Sequence, residues 1–485
     1  MMKTISLTYL LLLFLFATVK PSITYAAQTT DIIKQVITAY GGKTLTHAKS
    51  IKIVDYNKGP WPGESENPDV PEIWRINEEL TIDFETQRKS LLSYRVPRTT
   101  LDLEKWIFDG KQGINYDIFH QKYAIEDWVT FKNLGGSIER SSDTIHAKNL
   151  HNKLKHATYM GDEYYRGKAH YKLNVELNSG AQFTYIIDKA TGLIKKALRS
   201  VRHNQLVYAF SNHTHRDQVA FARDMNFFVN GELRLTSLQK SIEINPDLTA
   251  AFEKPHHFQA WGAQLDNNKM QAKQLAEQIY QAGKGRNKTI FFEQADHYIA
   301  VGGASALEEN LSAVTTLTKR PKPIRYFIIT HHHRRNLQGL DKPLKLGAKL
   351  VTAKAHLKTI NEAVAQHDKS NHILIVPDRK PFKLGNITLF DIPTAHSKHY
   401  LMVYVKNHKM VIAEEHYETH LKTAKPRIYK DMVIFANALK QLNIKVEALV
   451  DIQSWRVLDI EEFTQWVNTF ELPHCPVGYT ICNNG

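Results

Sequence analysis

The chain has 485 residues, 42% of them apolar and 23% charged, which is too long for one ordinary core and too apolar for a disordered chain. Its formal charge of +14 at pH 7 comes from Lys and Arg spread along the sequence with no concentrated stripe, which argues against nucleic acid and leaves a solvated basic surface, an anionic envelope surface or acidic substrates. The two cysteines, Cys475 and Cys482, are too few for a cysteine metal cage but suit a small C-terminal disulfide loop in an oxidising compartment.

Residues 1–26 combine Lys3, an apolar run over 7–19 and small residues before Ala26 and Ala27. That is the pattern of a secretory signal peptide, and the run is shorter than the ~20 residues a spanning helix needs. The expectation is a periplasmic or secreted protein with no membrane span, two charge units lower once Lys3 and Lys20 leave with the leader. Residues 31–40 (DIIKQVITAY) have helical spacing and stop at Gly41 and Gly42. Alternating segments follow, among them SIKIVDY, LTIDF and KSLLSY, and HYKLNVEL and FTYIID flank the turn Asn178-Ser179-Gly180 as a hairpin. Many short strands without helices between them predict an antiparallel sheet, curved or half-barrel, in a domain over 27–260. His213 and His215 have ligand-like i, i+2 spacing but no third partner nearby, and read as a solvated loop. A helix ending in AYGG, a strand, and a DKATG turn before a basic strand resemble the lipoprotein-carrier-like sheet domain that precedes some exported hydrolases, which implies a concave apolar surface.

Around 245–273 the strand pattern breaks, and from 270 to 485 the grammar changes. TIFFEQ, HYIAVGG, IRYFIIT, KLVTA, ILIV, ITLFDI, YLMVYV, KMVIA and EALVDI read as strands, with helices over 305–319, 356–367, 428–442 and 460–470. This alternation predicts layered α/β structure. Many of the 24 histidines crowd into this half, a reason to look for a metal.

The apolar strand at 324–329 empties into THHHRRNLQG. Spacing of i, i+2 at a strand end turns His331 and His333 to one side, and His396, in DIPTAHSKHY, follows another strand. Three neutral imidazoles with an open fourth position are the donor set of a catalytic zinc. The stretch resembles the metallo-beta-lactamase superfamily signature, T-H-x-H-x-D-H-x-G-G at a strand end, and the likeness covers 276–470. It implies an αββα sandwich after the antiparallel domain, an α+β and α/β chain overall, with His331, His333 and His396 as ligands of a first zinc.

The resemblance fails at the second metal. Arg335 and Asn336 replace its aspartate and histidine, Glu415 (Glu414 in the other register) stands at the bridging aspartate, and Gln453 with Ser454 replaces the last His-Gly pair. Gly302 and Gly303 lie where a supporting aspartate is expected. A guanidinium has only donors and stays protonated, so it is no ligand. One zinc is therefore expected, with Arg335 in the electrostatic place of the second cation, paired with Glu415. Of His332, His399, His416 and His420, candidates for proton transfer, His399 is the best placed by sequence. The leading reading is an exported single-zinc hydrolase, in which Arg335, Asn336, Glu415, Gln453 and His399 assist attack on an ester, lactone, amide or similar bond of a small-molecule substrate, an anionic one being an option. The alternative is a non-catalytic binding protein on the same fold. Mononuclear iron oxygenation is disfavoured, since such sites set a carboxylate beside two histidines.

Overall fold

The computed structural model describes residues 20–97, 100–365, 372–417 and 419–482, with side chains from residue 27 onward. The expected leader lies outside these residues, apart from the backbone of 20–26, which opens the helix Lys20–Ala39. No helix among the described residues is long and apolar enough to cross a membrane. The helix buries Ile32 and Val36 and ends where expected. Gly41 and Gly42 take φ of +105° and +56°, and a Cβ on Gly41 would lie 2.6 Å from the Gln218 carbonyl oxygen. Only glycine fits that turn without strain.

The first half of the chain forms one 14-stranded sheet. From one edge it runs from Gln259–Ala260 to Lys122–Ile125, then back strand by strand to Ser50–Trp61, then from Glu232–Ile244 back to Leu154–Tyr165. Ser50–Trp61 pairs antiparallel with both Glu72–Asp83 and Glu232–Ile244, so the last long strand closes beside the first. The expected hairpin pairs from His170 with Asp188 to Glu176 with Gln182. One face of this sheet packs through Ile51, Ile53, Leu80 and Leu173 against the helices Lys20–Ala39 and Asp143–Asn152. Each such fully buried aliphatic side chain contributes roughly 1.5–3 kcal/mol.

A second apolar patch, with Tyr56, Leu103, Ile107 and Tyr116, is covered by Ile481 from the far end of the chain. Asn77 Nδ2 donates to the Ile481 carbonyl at 2.9 Å, and a disulfide joins Cys475 to Cys482, Cα to Cα 5.9 Å. The loop expectation for His213 and His215 is overturned, although His215 is exposed as expected. Both lie in the strand Asn204–Arg216, and His213 Nε2 sits 3.2 Å from the fully buried Asp143 carboxylate.

Beyond residue 270 two sheets stack. Seven strands run in sequence order from Gln271–Ala276 to Ile373–Val376, and six from Phe382–Leu384 to Val457–Asp459. Phe292, Val301 and Val351 from one sheet and Leu401, Val403 and Ile412 from the other share a single core. The outer face of the seven-stranded sheet packs on helix Leu307–Thr318, and that of the six-stranded sheet on Lys430–Gln441 and Ile460–Asn468. Helices therefore cover both outer faces of a two-sheet core. Tyr400–Val405 is buried at all six positions, as a strand sandwiched on both faces must be.

Candidate metal centre

The site collects at the carboxyl ends of four strands. His331, His332 and His333 follow Ile324–Ile328, His396 follows Ile387–Ile392, Glu414 and Glu415 follow Met410–Ala413, and Gln453 follows Ala448–Asp451. Backbone bonds lock the approach: Ile329 N–H donates to the Val351 carbonyl at 2.9 Å and Leu401 N–H to the Thr330 carbonyl at 2.8 Å. Asp451 ties two of these loops together, accepting from Glu415 N–H at 3.1 Å and from Gln453 N–H at 2.7 Å. Glu415 holds a left-handed φ of +69°, a strained conformation for a long side chain that the surrounding contacts must enforce.

Glu415 Oε2 lies 3.3 Å from His331 Nε2, 3.5 Å from His333 Nδ1 and 3.8 Å from His396 Nδ1. These four side chains form a group whose donor atoms could hold one metal ion. The other nitrogen of each ring is also engaged. His331 Nδ1 is 3.0 Å from Thr330 Oγ1, which in turn donates to Glu414 Oε2 at 3.0 Å. His333 Nε2 is 3.3 Å from the Ser65 carbonyl oxygen, and His396 Nε2 is 2.8 Å from Asp431 Oδ2. Ligating histidines hold their second ring N–H in this way, on a hydroxyl, carbonyl or carboxylate. Asn336 Nδ2 also lies 3.0 Å from His331 Nδ1; turned over, its amide would present Oδ1, which has no hydrogen-bond partner among the described residues, as an acceptor for that N–H.

Charge in the cluster follows burial first. Desolvation, helped by neighbouring His333, holds His331 well below the ordinary imidazole range, so it offers a lone pair. Burial would also lower His396, but the bond to Asp431 and its charge overcome this and raise it to about 9. Burial would raise Glu415, yet its contacts with His331 and His333 hold it well below the usual carboxylate range. Glu414 goes the other way, pushed up by burial and by the adjacent Glu415 charge. Once His396 gives up its proton, the donor set is three imidazoles and one carboxylate anion, which fits a divalent first-row metal ion.

Arg335 Nη1 donates to Gln453 Oε1 at 3.0 Å and lies 3.6 Å from Glu415 Oε1. Gln453 Nε2 reaches Glu415 Oε1 at 3.2 Å and Glu414 Oε1 at 3.3 Å. Three of the positions that depart from the signature, Arg335, Glu415 and Gln453, therefore bond to one another at the edge of the histidine cluster. A Cβ on Gly302 would lie 2.3 Å from Ile452 Cγ2, and one on Gly303 2.6 Å from the Lys288 carbonyl oxygen, so neither place has room for a side chain.

His399 is placed elsewhere: its Nδ1 is 3.0 Å from Asp391 Oδ2, in a separate group with Asp378. His332 is buried and stacks on His356, and His420 lines the cavity with Nδ1 3.1 Å from Asn267 Nδ2. His416 packs between His396 and Phe435, and neither of its ring nitrogens has a hydrogen-bond partner among the described residues.

Sequence reasoning missed Asp431, Ser65 and Glu64. Asp431 is in the first turn of helix Lys430–Gln441. Glu64, on the loop after Ser50–Trp61, brings Oε2 to 3.6 Å from His333 Nδ1, and burial raises its carboxyl above the ordinary range. A cavity of about 720 Å³ opens over the cluster, walled by Glu64, Trp74 and Arg95 from the first half and Arg286, Arg335 and Tyr417 from the second.

No protein-family model matches this chain, and no curated protein matches it. Among the solved structures it resembles are metallo-beta-lactamases and flavodiiron proteins. The metallo-beta-lactamase from Hirschia baltica aligns at 14% identity over 41% of this chain and 96% of its own, with a TM-score of 0.33. That from Pontibacter korlensis aligns at 14% over 42% and 100%, also at 0.33. The flavodiiron protein from Giardia intestinalis aligns at 16% over 41% of this chain and 58% of its own, at 0.31.

Proposed function

We propose that this chain is an exported metal-dependent hydrolase that binds a single metal ion, zinc by expectation, at His331, His333, His396 and Glu415. The observation that carries this reading is the orientation of the three imidazoles, each turning one nitrogen to Glu415 Oε2 while Thr330, Ser65 or Asp431 engages the other. A divalent zinc at such a site supplies Lewis acidity and lowers the pKa of bound water to ~7.

The chain's own residues then divide the remaining work. Asp431 fixes the His396 ring, and Thr330 fixes His331 while linking it to Glu414. Arg335, with its side chain 41% exposed toward the cavity, keeps a fixed positive charge beside the reacting end of the pocket. There it favours a substrate that carries a carboxylate or phosphate, because the planar fork matches such groups. Gln453 holds that guanidinium in place. The substrate class is a small molecule with an ester, lactone, amide or similar bond and an anionic group.

A second reading, a non-catalytic binding protein, draws on the network among Arg335, Gln453, Glu414 and Glu415, which stands where the signature has second-metal ligands. One experiment separates the two. Elemental analysis of the full-length protein is expected to find one metal per chain. His333→Ala and His396→Ala are each expected to abolish metal binding together with a chelator-sensitive esterase or lactonase activity. Two tightly held metals per chain would overturn the single-metal reading, and metal binding without any such activity would favour the binding protein.

A further inference from the structure

The loop that joins Ser50–Trp61 to Glu72–Asp83 leaves its own sheet and lies on the metal centre. Gly63, at φ +78°, starts the descent. Arg334 N–H donates to the Gly63 carbonyl at 3.1 Å, and Lys398 N–H donates to the Glu66 carbonyl at 2.9 Å. Between them the Ser65 carbonyl sits 3.3 Å from His333 Nε2. One anchor thus adjoins His333 and another lies two residues past His396, so the loop is fastened to both ligand-bearing segments. This fastening is backbone-made and does not depend on the Glu64 side chain.

Glu64 is held between these anchors. Its Oε2 is 3.6 Å from His333 Nδ1, the nitrogen that lies 3.5 Å from Glu415 Oε2. Two carboxylates from sequence positions 351 residues apart thus face the same nitrogen of one imidazole, with Glu64 just outside the four donors that already lie close enough together to hold one ion. Like charges so placed in a half-buried site repel, and a cation between them removes that repulsion. Arg335 and the neighbouring imidazoles offset part of that repulsion, but Arg335 engages the other oxygen of Glu415 and does not lie between the two carboxylates' facing oxygens. The remaining loop carboxylates point away, Asp69 to Lys358 at 2.8 Å and Glu66 toward Lys398 at 3.8 Å.

We propose that Glu64 is a fifth protein donor to the metal ion, so that the centre has three imidazoles and two carboxylates and is completed only by the first half of the chain. This rests on the metal-centre reading above and deepens it. It gives the large sheet a function, which is to carry a ligand, and it favours divalent ions that accept more than four donors.

The test uses the full-length protein stripped of metal. Zinc affinity is measured by competition with a chromophoric chelator, and cobalt(II) is titrated while its visible absorption is followed, for wild type, Glu64→Gln, Glu64→Asp and the loop control Asp69→Asn. Wild type and Asp69→Asn are expected to bind one ion with the same affinity and spectrum. Glu64→Gln is expected to bind at least tenfold more weakly, with stronger visible bands as the cobalt coordination number falls, and Glu64→Asp to fall between. A Glu64→Gln protein with wild-type affinity and spectrum would overturn the assignment of Glu64 and leave the hydrolase reading standing. A wild-type protein that binds neither ion overturns both.

Discussion

At the scale of single residues, burial decides which groups are neutral, and that makes the fold sensitive to acid. His146 lies inside the first half, 2% exposed, with Nε2 2.9 Å from the Arg140 carbonyl and Nδ1 3.0 Å from the Tyr185 hydroxyl. Both contacts suit a neutral ring that donates from Nε2 and accepts at Nδ1. Desolvation lowers its pKa from 6.5 to about 4. The unfolded chain therefore binds the proton first as pH falls below 6.5, so His146 withdraws stability between pH 6.5 and 4 and nothing further below that. The loss is about 2 kcal/mol at pH 5 and roughly 3 kcal/mol at its limit. Urea midpoints at pH 7.5 and pH 5 check this: His146→Gln should lose about 2 kcal/mol less than wild type over that interval, and parallel losses would refute the assignment.

The same scale shows what could be read from the sequence at the site. That His331, His333 and His396 come together was legible because two share a strand end and the third follows a strand in DIPTAHSKHY. Asp431 and Ser65 carry no local signal, since each acts on a histidine 35 or 268 residues away. Three residues of sequence separation suggested His399 beside His396, but the turn between them, where Ser397 Oγ donates to the His399 carbonyl at 2.8 Å, leaves His399 facing Asp391.

At the scale of elements, turns and alternation revealed most strands, while their partners stayed hidden. The hairpin at 168–188 needed only a two-strand pattern and a glycine turn. The pairing of Ser50–Trp61 with Glu232–Ile244 joins elements separated by most of a domain, and no local periodicity encodes it. Arg427 illustrates the same distance in a side chain. From the segment after Glu415 it reaches Asp117 Oδ2 at 2.6 Å, Glu104 Oε1 at 2.7 Å and Asp102 Oδ1 at 3.7 Å, on two strands of the first sheet. Removing it takes away the shared cation of three carboxylates, of which Glu104 and Asp117 are almost fully buried; Glu104 keeps Arg95 and Asn115, and Asp117 keeps His120. Arg427→Met is expected to destabilise the protein by about 3 kcal/mol or more, measured by urea denaturation at pH 7.5. A loss under about 1 kcal/mol would show that the cluster behaves as a solvated surface pair.

For the whole molecule, the two halves are interlocked from both directions. The first half sends the Glu64 loop onto the histidines of the second, and the second returns its tail to the first. Ile481 is fully buried among Tyr56, Leu103, Ile107 and Tyr116, and it lies inside the loop closed by the Cys475–Cys482 disulfide, where its carbonyl accepts from Asn77 Nδ2. In the unfolded chain that disulfide restricts only a short loop, so its stabilising effect is on the order of 2 kcal/mol. Burial of the apolar side chain that the loop presents contributes more. Ile481→Ala removes three methyl or methylene groups from a packed cluster and should cost about 2–5 kcal/mol. Because the patch belongs to the first half and the tail to the second, the loss should appear as weaker coupling between them. Thermal unfolding of the variant is then expected to broaden or split, and binding of an apolar fluorescent dye to rise before the main transition. A single sharp transition at the wild-type temperature, with no added dye binding, would mean that the tail rests on the sheet without holding the halves together. The histidine cluster would then rely for its alignment on other contacts, among them the Glu64 loop, the Arg427 cluster and the backbone bonds of Ala263 and Leu265 to Lys422 and His420.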